Sequence, residues 1–186
     1  EDRGGIIWIG TNTGGVNYFH PASQVFERLI NSPKNKNSLR DNAVLAMHAD
    51  KEGNYWLGTR NGGLDKYNYD KKTFTNYSHN PANSNSLINN SILVIEEDQS
   101  GVLWLGTFNS GMNSFDPKTG TFKRYVNNPS DPNTLTDNRI YSIHEDSDGI
   151  IWIGTYGGGL NKLDKTTSKI TAYKHDEKNK SSISSN

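Results

Sequence analysis

An all-β fold, a segment of a β-propeller built from four-stranded antiparallel blades, is what this sequence predicts, and three observations predict it. Trp8, Trp56, Trp104 and Trp152 recur every 48 residues with no insertion or deletion between them. The same period carries Gly15, Gly63, Gly111 and Gly159; Leu39, Leu87, Leu135 and Ile183; and Asn42, Asn90, Asn138 and Asn186. A period of roughly 40–50 residues is that of propeller blades or a solenoid. Third, no stretch sustains a 3.6-residue apolar period, so a helical solenoid is disfavoured, whereas short runs of strand formers between turn signals fill each unit.

The second unit shows the elements in order. Residues 44–49 are a short apolar run, and 50–53 (Asp-Lys-Glu-Gly) turn the chain. Residues 54–59 (Asn-Tyr-Trp-Leu-Gly-Thr) are rich in strand formers, and 60–63 (Arg-Asn-Gly-Gly) break the strand. Residues 64–69 alternate apolar with polar, 70–72 turn again, and 73–78 alternate once more, placing Phe74 and Tyr77 at the blade interior or its rim. Four short strands and tight turns make a meander. It buries too little alone, so neighbouring meanders must stack, with the flat Trp as the wedge between sheets.

These landmarks divide the chain into residues 1–33, 40–80, 88–128 and 136–177, with 178–186 leading toward a next blade. Asp2, Gly4 and Gly5 align with the 50–53 turn, so the first unit begins after its innermost strand. The expectation is three complete blades plus one lacking that strand, all in one propeller-type domain. The chain then reads as a piece of a larger ring, or as a segment whose open edges pair with a second copy.

Composition narrows the function. Only 32% of residues are apolar, yet four Trp, nine Tyr and six Phe fall in register, which suits a narrow core repeated along an array. Twenty basic residues balance twenty acidic ones, leaving no field to hold nucleic acid. Without cysteine there are no disulfides or thiolate metal sites. No apolar run approaches the roughly 20 residues of a spanning helix.

Candidate binding residues follow from what varies. In propellers the inter-blade link and the turn after the second strand open on one face. That face should collect Asn12 and Thr13, Arg60 and Asn61, Phe108 and Asn109, and Tyr156 and Gly157, together with Arg40, Asp41, Asn89, Asp137 and Arg139 leading into the first strands. The framework repeats while these positions differ, which leaves them free for recognition. Arg60, Asn61, Phe108, Asn109, Arg139 and Tyr156 are the candidate ligand residues: aromatic plates beside guanidinium and amide groups suit a sugar or uronate. No catalytic pair stands clear of the repeat. His48, Glu96 and His144 occupy equivalent positions but should lie on the opposite face, as polar strand ends rather than metal ligands. His20, His79 and His175 read as loop residues without partners in sequence. Asp50, Asp98 and Asp146 recur in every intact turn, which speaks for a turn-stabilising bond and against a calcium loop or catalysis. No cofactor or metal is implied, and the sequons at Asn76, Asn89 and Asn179 are accidental in so Asn-rich a chain.

The repeat Trp-[Ile/Leu]-Gly-Thr-x-x-Gly-Gly-[Leu/Val]-[Asn/Asp], preceded by Asp-x-x-Gly, resembles the two-component regulator propeller repeat along essentially the whole chain. Unit three departs at Ser110, and Ile170 replaces the Phe of Phe26, Phe74 and Phe122. The resemblance implies the extracytoplasmic, periplasmic sensor region of a hybrid two-component regulator, in which such propellers precede a membrane span and a histidine kinase. It implies a non-catalytic module sensing an oligosaccharide or other small ligand, with neighbouring blades and domains of the parent sensor as further partners. Two other readings stay open: a metal-dependent enzyme resembling propeller lyases, and a pure protein-interaction scaffold.

Overall fold

The computed structural model describes residues 1–2 and 4–186 of the chain. Among them every regular element is a strand, and the strands form one three-stranded and three four-stranded antiparallel sheets in chain order. Blade 1 holds β1 (Ile7–Gly10), β2 (Val16–His20) and β3 (Val25–Leu29). Blade 2 holds β4 (Val44–Ala49), β5 (Asn54–Thr59), β6 (Leu64–Asn68) and β7 (Thr73–Tyr77). Blade 3 holds β8 (Ile92–Glu97), β9 (Leu103–Thr107), β10 (Met112–Asp116) and β11 (Thr121–Tyr125). Blade 4 holds β12 (Ile140–Glu145), β13 (Ile151–Thr155), β14 (Gly159–Leu163) and β15 (Ile170–Tyr173). The first strands are neighbours across blades, β8 touching both β4 and β12, as the inner strands of a propeller must.

The apolar alternation of each strand is spent between sheets, so the core comes as three separate slabs. Val16, Leu39, Leu57 and Tyr67 fill the slab between blades 1 and 2. Trp56, Ile92, Leu103, Leu105 and Phe115 fill the next, and Trp104, Ile140, Ile151, Ile153 and Leu163 the third. The first three indoles face the following blade: Trp8 stacks on Tyr55 with ring centroids 3.8 Å apart, Trp56 meets Phe115 edge-on at 5.8 Å, and Trp104 packs among the blade 4 core. Trp56 and Trp104 are buried and Trp8 and Trp152 half-buried.

The recurring Asp does two jobs at once. One carboxylate oxygen accepts the turn's backbone N–H groups, such as those of Glu52 and Asn54 on Asp50. The other accepts the indole N–H six residues on, at 2.9 Å for Trp8 on Asp2, 2.9 Å for Trp56 on Asp50, 3.0 Å for Trp104 on Asp98 and 2.6 Å for Trp152 on Asp146. Turn and wedge are thereby one unit, and the buried indole N–H has its partner. The Gly of Trp-x-Gly-Thr has a packing reason. A Cβ at Gly106 would fall 2.7 Å from Ile140 Cγ2 on the next inner strand. At Gly63 φ is +88°, and a Cβ there would strike the Tyr77 carbonyl oxygen.

The long polar links are pinned too. Asn42, Asn90, Asn138 and Asn186 Oδ1 each accept the backbone N–H of the residue eleven positions earlier, at 2.7 Å in every case. Those earlier residues are Asn31, His79, Asn127 and His175, and their side chains bond the carbonyls of Leu39, Leu87, Leu135 and Ile183. His79 and His175 therefore do have partners: a carbonyl can only accept, so each ring donates from Nδ1, doing the work of the Asn in alternate blades. His20 is likewise not in a loop. It ends β2, and its Nε2 lies 3.1 Å from Tyr69 Oη of blade 2.

Candidate functional site

At one end of the array, each segment leading into an inner strand is held from both sides. The Asn42, Asn90 and Asn138 carbonyls accept N–H from Gly15, Gly63 and Gly111 of the preceding blade, at 2.9, 3.0 and 2.8 Å. The next carbonyls, of Ala43, Ser91 and Arg139, accept N–H from Arg60, Phe108 and Tyr156 of their own blade, at 2.9, 3.3 and 3.0 Å. Thr59 and Thr107 close the loop from below, each hydroxyl bonding the Gly carbonyl four residues on, Gly63 at 2.9 Å and Gly111 at 2.6 Å. The same backbone bonds thus hold the segments entering blades 2, 3 and 4, and all six sequence-predicted residues stand at this one end, five of them exposed and Arg139 half-buried.

Their side chains are held in three different ways. In blade 2, Arg60 Nη2 donates to Asn12 Oδ1 of blade 1 at 2.7 Å, and Asn61 is tied to Asp41 Oδ2 by its backbone and side-chain nitrogens. In blade 3, Phe108 is half exposed and Asn109 Oδ1 accepts from the neighbouring Ser110 hydroxyl, at 3.1 Å. In blade 4, Arg139 lies over the Tyr156 ring, its guanidinium carbon 4.8 Å from the centroid. The same guanidinium clasps Asp137 through Nε at 3.0 Å and Nη2 at 2.6 Å. Those hydrogen bonds from Arg139 hold the Asp137 carboxyl below the usual carboxylate range. The reading of Arg139 as a free uronate ligand therefore meets a competing carboxylate already in place.

Tyr141 belongs to this group and sequence reasoning missed it. It opens outward beside Tyr156, ring centroids 5.5 Å apart, and both rings are more than half exposed. Its signal was available: it shares a column with Leu45 and Leu93, where it is the one aromatic.

Beneath the loop end sits Asp65 on β6, fully buried, accepting the backbone N–H of Arg40 at 2.8 Å and the amide of Asn76. Burial pushes its carboxyl up to about 6, against the pull of those two hydrogen bonds. The equivalent residues are Asn113 and Asn161, which accept the backbone N–H of Ile88 and Thr136 in the same way.

The opposite end carries His48 and His144. His48 Nε2 pairs with Glu97 at 2.8 Å and His144 Nδ1 with Glu96 at 3.4 Å, so His48, Glu96 and His144 do not converge on one point. Between blades 3 and 4, Lys165 Nζ bridges Asp98, at 3.1 Å, and Glu145. Pro117 holds the equivalent position between blades 2 and 3, where a cleft of about 420 Å³ opens beside Asp50, Trp56 and Glu97. The loop end, by contrast, offers aromatic faces, amides and guanidinium groups.

The fold and this arrangement define a run of β-propeller blades with an invariant frame and a varied loop end. Residues 38–61, 86–109 and 134–157 match the family model described as Two component regulator propeller. It is similar to the extracellular domain of BT3049 from B. thetaiotaomicron, described as a hybrid two component system, with 26% identity and a TM-score of 0.82 over 94% of this chain. It is also similar to the extracellular domain of BT4673 from the same organism, described as a one component system, with 22% identity and a TM-score of 0.77 over all of this chain. The chain spans 24% and 23% of those two domains. Virginiamycin B lyase from Staphylococcus aureus shares the fold at 15% identity, with a TM-score of 0.69 over 95% of this chain and 54% of its own. No curated protein matches the sequence.

Proposed function

We propose that the chain is a ligand-sensing propeller segment of an extracytoplasmic, periplasmic sensor, that it takes an oligosaccharide on its loop end, and that occupancy is passed to a histidine kinase borne elsewhere. The observation that carries this reading is the contrast within the repeat: backbone bonds at the loop end are the same in each blade, while the side chains they present differ. Ligand held across several blades would bias how the propeller sits against neighbouring domains of the parent sensor, which is how a rigid module transmits binding. The six candidates supply stacking faces and donors without catalytic groups, in keeping with a module that binds and does not transform.

A glycan array probed with this chain, followed by titration of each hit, tests the proposal. Binding that weakens when Arg60, Phe108, Arg139 and Tyr156 are replaced together by alanine supports it. Binding untouched by that change removes the loop end from the account. Metal analysis covers the rival in which the fold acts as a lyase: a stoichiometric bound ion would revive that reading. If neither glycan nor metal binds and neighbouring domains do, the module is a scaffold.

A further inference from the structure

Resting on the carbohydrate reading above, we infer that one corner of blade 4, made by Asp137, Arg139, Tyr141, Tyr156 and Gly157, is a preassembled stacking plate for a neutral pyranose ring. In each complete blade the register slips by one residue near the inner strand's start, between Val44 and Ala46, Ile92 and Val94, and Ile140 and Ser142. Such bulges re-aim the extra side chain and are common beside binding sites. The re-aimed residues are Leu45, Leu93 and Tyr141, and Leu45 and Leu93 are half-buried whereas Tyr141 is 54% exposed.

Three more departures from the repeat fall at the same corner. Where blades 2 and 3 have Ala43 and Ser91, blade 4 has Arg139; where they have Arg60 and Phe108, it has Tyr156; where they have Asn61 and Asn109, it has Gly157. Gly157 takes φ +94°, which a side chain adopts only with strain, and a Cβ there would stand in ordinary contact with the ion pair, 3.6 Å from Arg139 Nη2 and 4.0 Å from Asp137 Oδ2. The four changes thus fall together at one corner.

What the set holds is an aromatic pair with a guanidinium behind it. The Tyr141 and Tyr156 rings are tilted by 31° at 5.5 Å, and Arg139 braces Tyr156 while remaining locked to Asp137. Two ring faces fixed before the ligand arrives lose little side-chain freedom on binding. Because Asp137 already neutralises Arg139, the corner has no spare positive charge for a carboxylate, yet the guanidinium has N–H groups left for hydroxyl oxygens. An apolar plate with donors at its margin and no net charge matches the C–H face and hydroxyl rim of an uncharged sugar. Uronates, on this geometry, are disfavoured at blade 4.

The experiment titrates this chain with neutral oligosaccharides from β-glucan, xylan, mannan and galactan and, in parallel, with oligogalacturonates, for the natural sequence and for Tyr141→Ala, Tyr156→Ala, Tyr141→Phe and Tyr156→Phe. Expected is binding of a neutral oligosaccharide, weakened at least about tenfold, roughly 1.4 kcal/mol, by either alanine and kept within about twofold by either phenylalanine, with melting temperatures unchanged. Neutral binding that both alanine variants retain in full would overturn the plate and leave the carbohydrate reading standing. Binding of oligogalacturonate alone would overturn the neutral class. If no oligosaccharide of either kind binds, both proposals fall together.

Discussion

At the Asp turn that precedes the Trp strand every blade repeats the same bonds, whereas at the loop end no two blades present the same set of side chains. Asp2, Asp50, Asp98 and Asp146 all hold their turn and their indole, and the distances barely differ. Four loops built on one backbone instead carry Asn12, Arg60, Phe108 and Tyr156 at their first free position. The lesson is a separation of duties. Groups that fix one blade on the next are buried, hydrogen-bonded and repeated; groups that meet solvent on a backbone already satisfied are free to differ.

That separation can be broken from the frame side, and the largest effect should come from Trp104. Its indole is buried in the slab between blades 3 and 4 and bonded to Asp98. Trp104→Ala should cost about 3–5 kcal/mol, a cavity plus an orphaned carboxylate acceptor, measured by urea denaturation. Next is Lys165→Met, which leaves Asp98 and Glu145, both almost wholly buried, without their shared cation. A loss of about 2–3 kcal/mol is expected, at the low end for a broken buried pair because the lysine is partly in water. A melting temperature equal to the parent's would show that the bridge is ornamental.

Asp65 offers a pH test. Its carboxyl is raised by burial to about 6, so the folded chain holds that proton more tightly than the unfolded chain does. The sign follows: its contribution is fully present below the unfolded value near pH 4 and is lost as pH rises through about 6, on the order of 2–3 kcal/mol in all. Asp65→Asn, the residue type of Asn113 and Asn161, should therefore raise stability at pH 8 and flatten the profile between about pH 4 and 6. Equal pH profiles for the two proteins would show that Asp65 titrates normally. The smallest effect on folding should come from the loop end. Arg60→Ala and Phe108→Ala should each change stability by less than about 0.5 kcal/mol, any larger shift meaning that these side chains support the fold.

Much of the frame was legible because identity at a fixed period survives in one dimension. The 48-residue spacing, the meander and the indole wedge all follow from residues that repeat. The Asp–indole bond was only half legible: the turn was visible, but the six-residue reach to the ring appears only once two strands lie side by side. Alternation hid the link clamp, since Asn31, His79, Asn127 and His175 share a role without sharing a name, and His79 and His175 looked idle for that reason. At the loop end, position was readable and electrostatics was not. Nothing in the spacing of Asp137 and Arg139 says that a guanidinium will fold back two residues and neutralise its neighbour. Tyr141 was missed because its column is leucine, half-buried, in blades 2 and 3, and the one aromatic there was read as another apolar residue of the strand.

The most direct measurement pairs binding with melting on two variants of this chain: one with Arg60, Phe108, Tyr141 and Tyr156 all replaced by alanine, the other Asp98→Asn. The separation of duties requires a crossed result, with glycan binding lost and the melting temperature kept in the first, and the melting temperature lowered while the folded fraction still binds in the second. A first variant that melts early, or one that binds as well as its parent, would contradict the account.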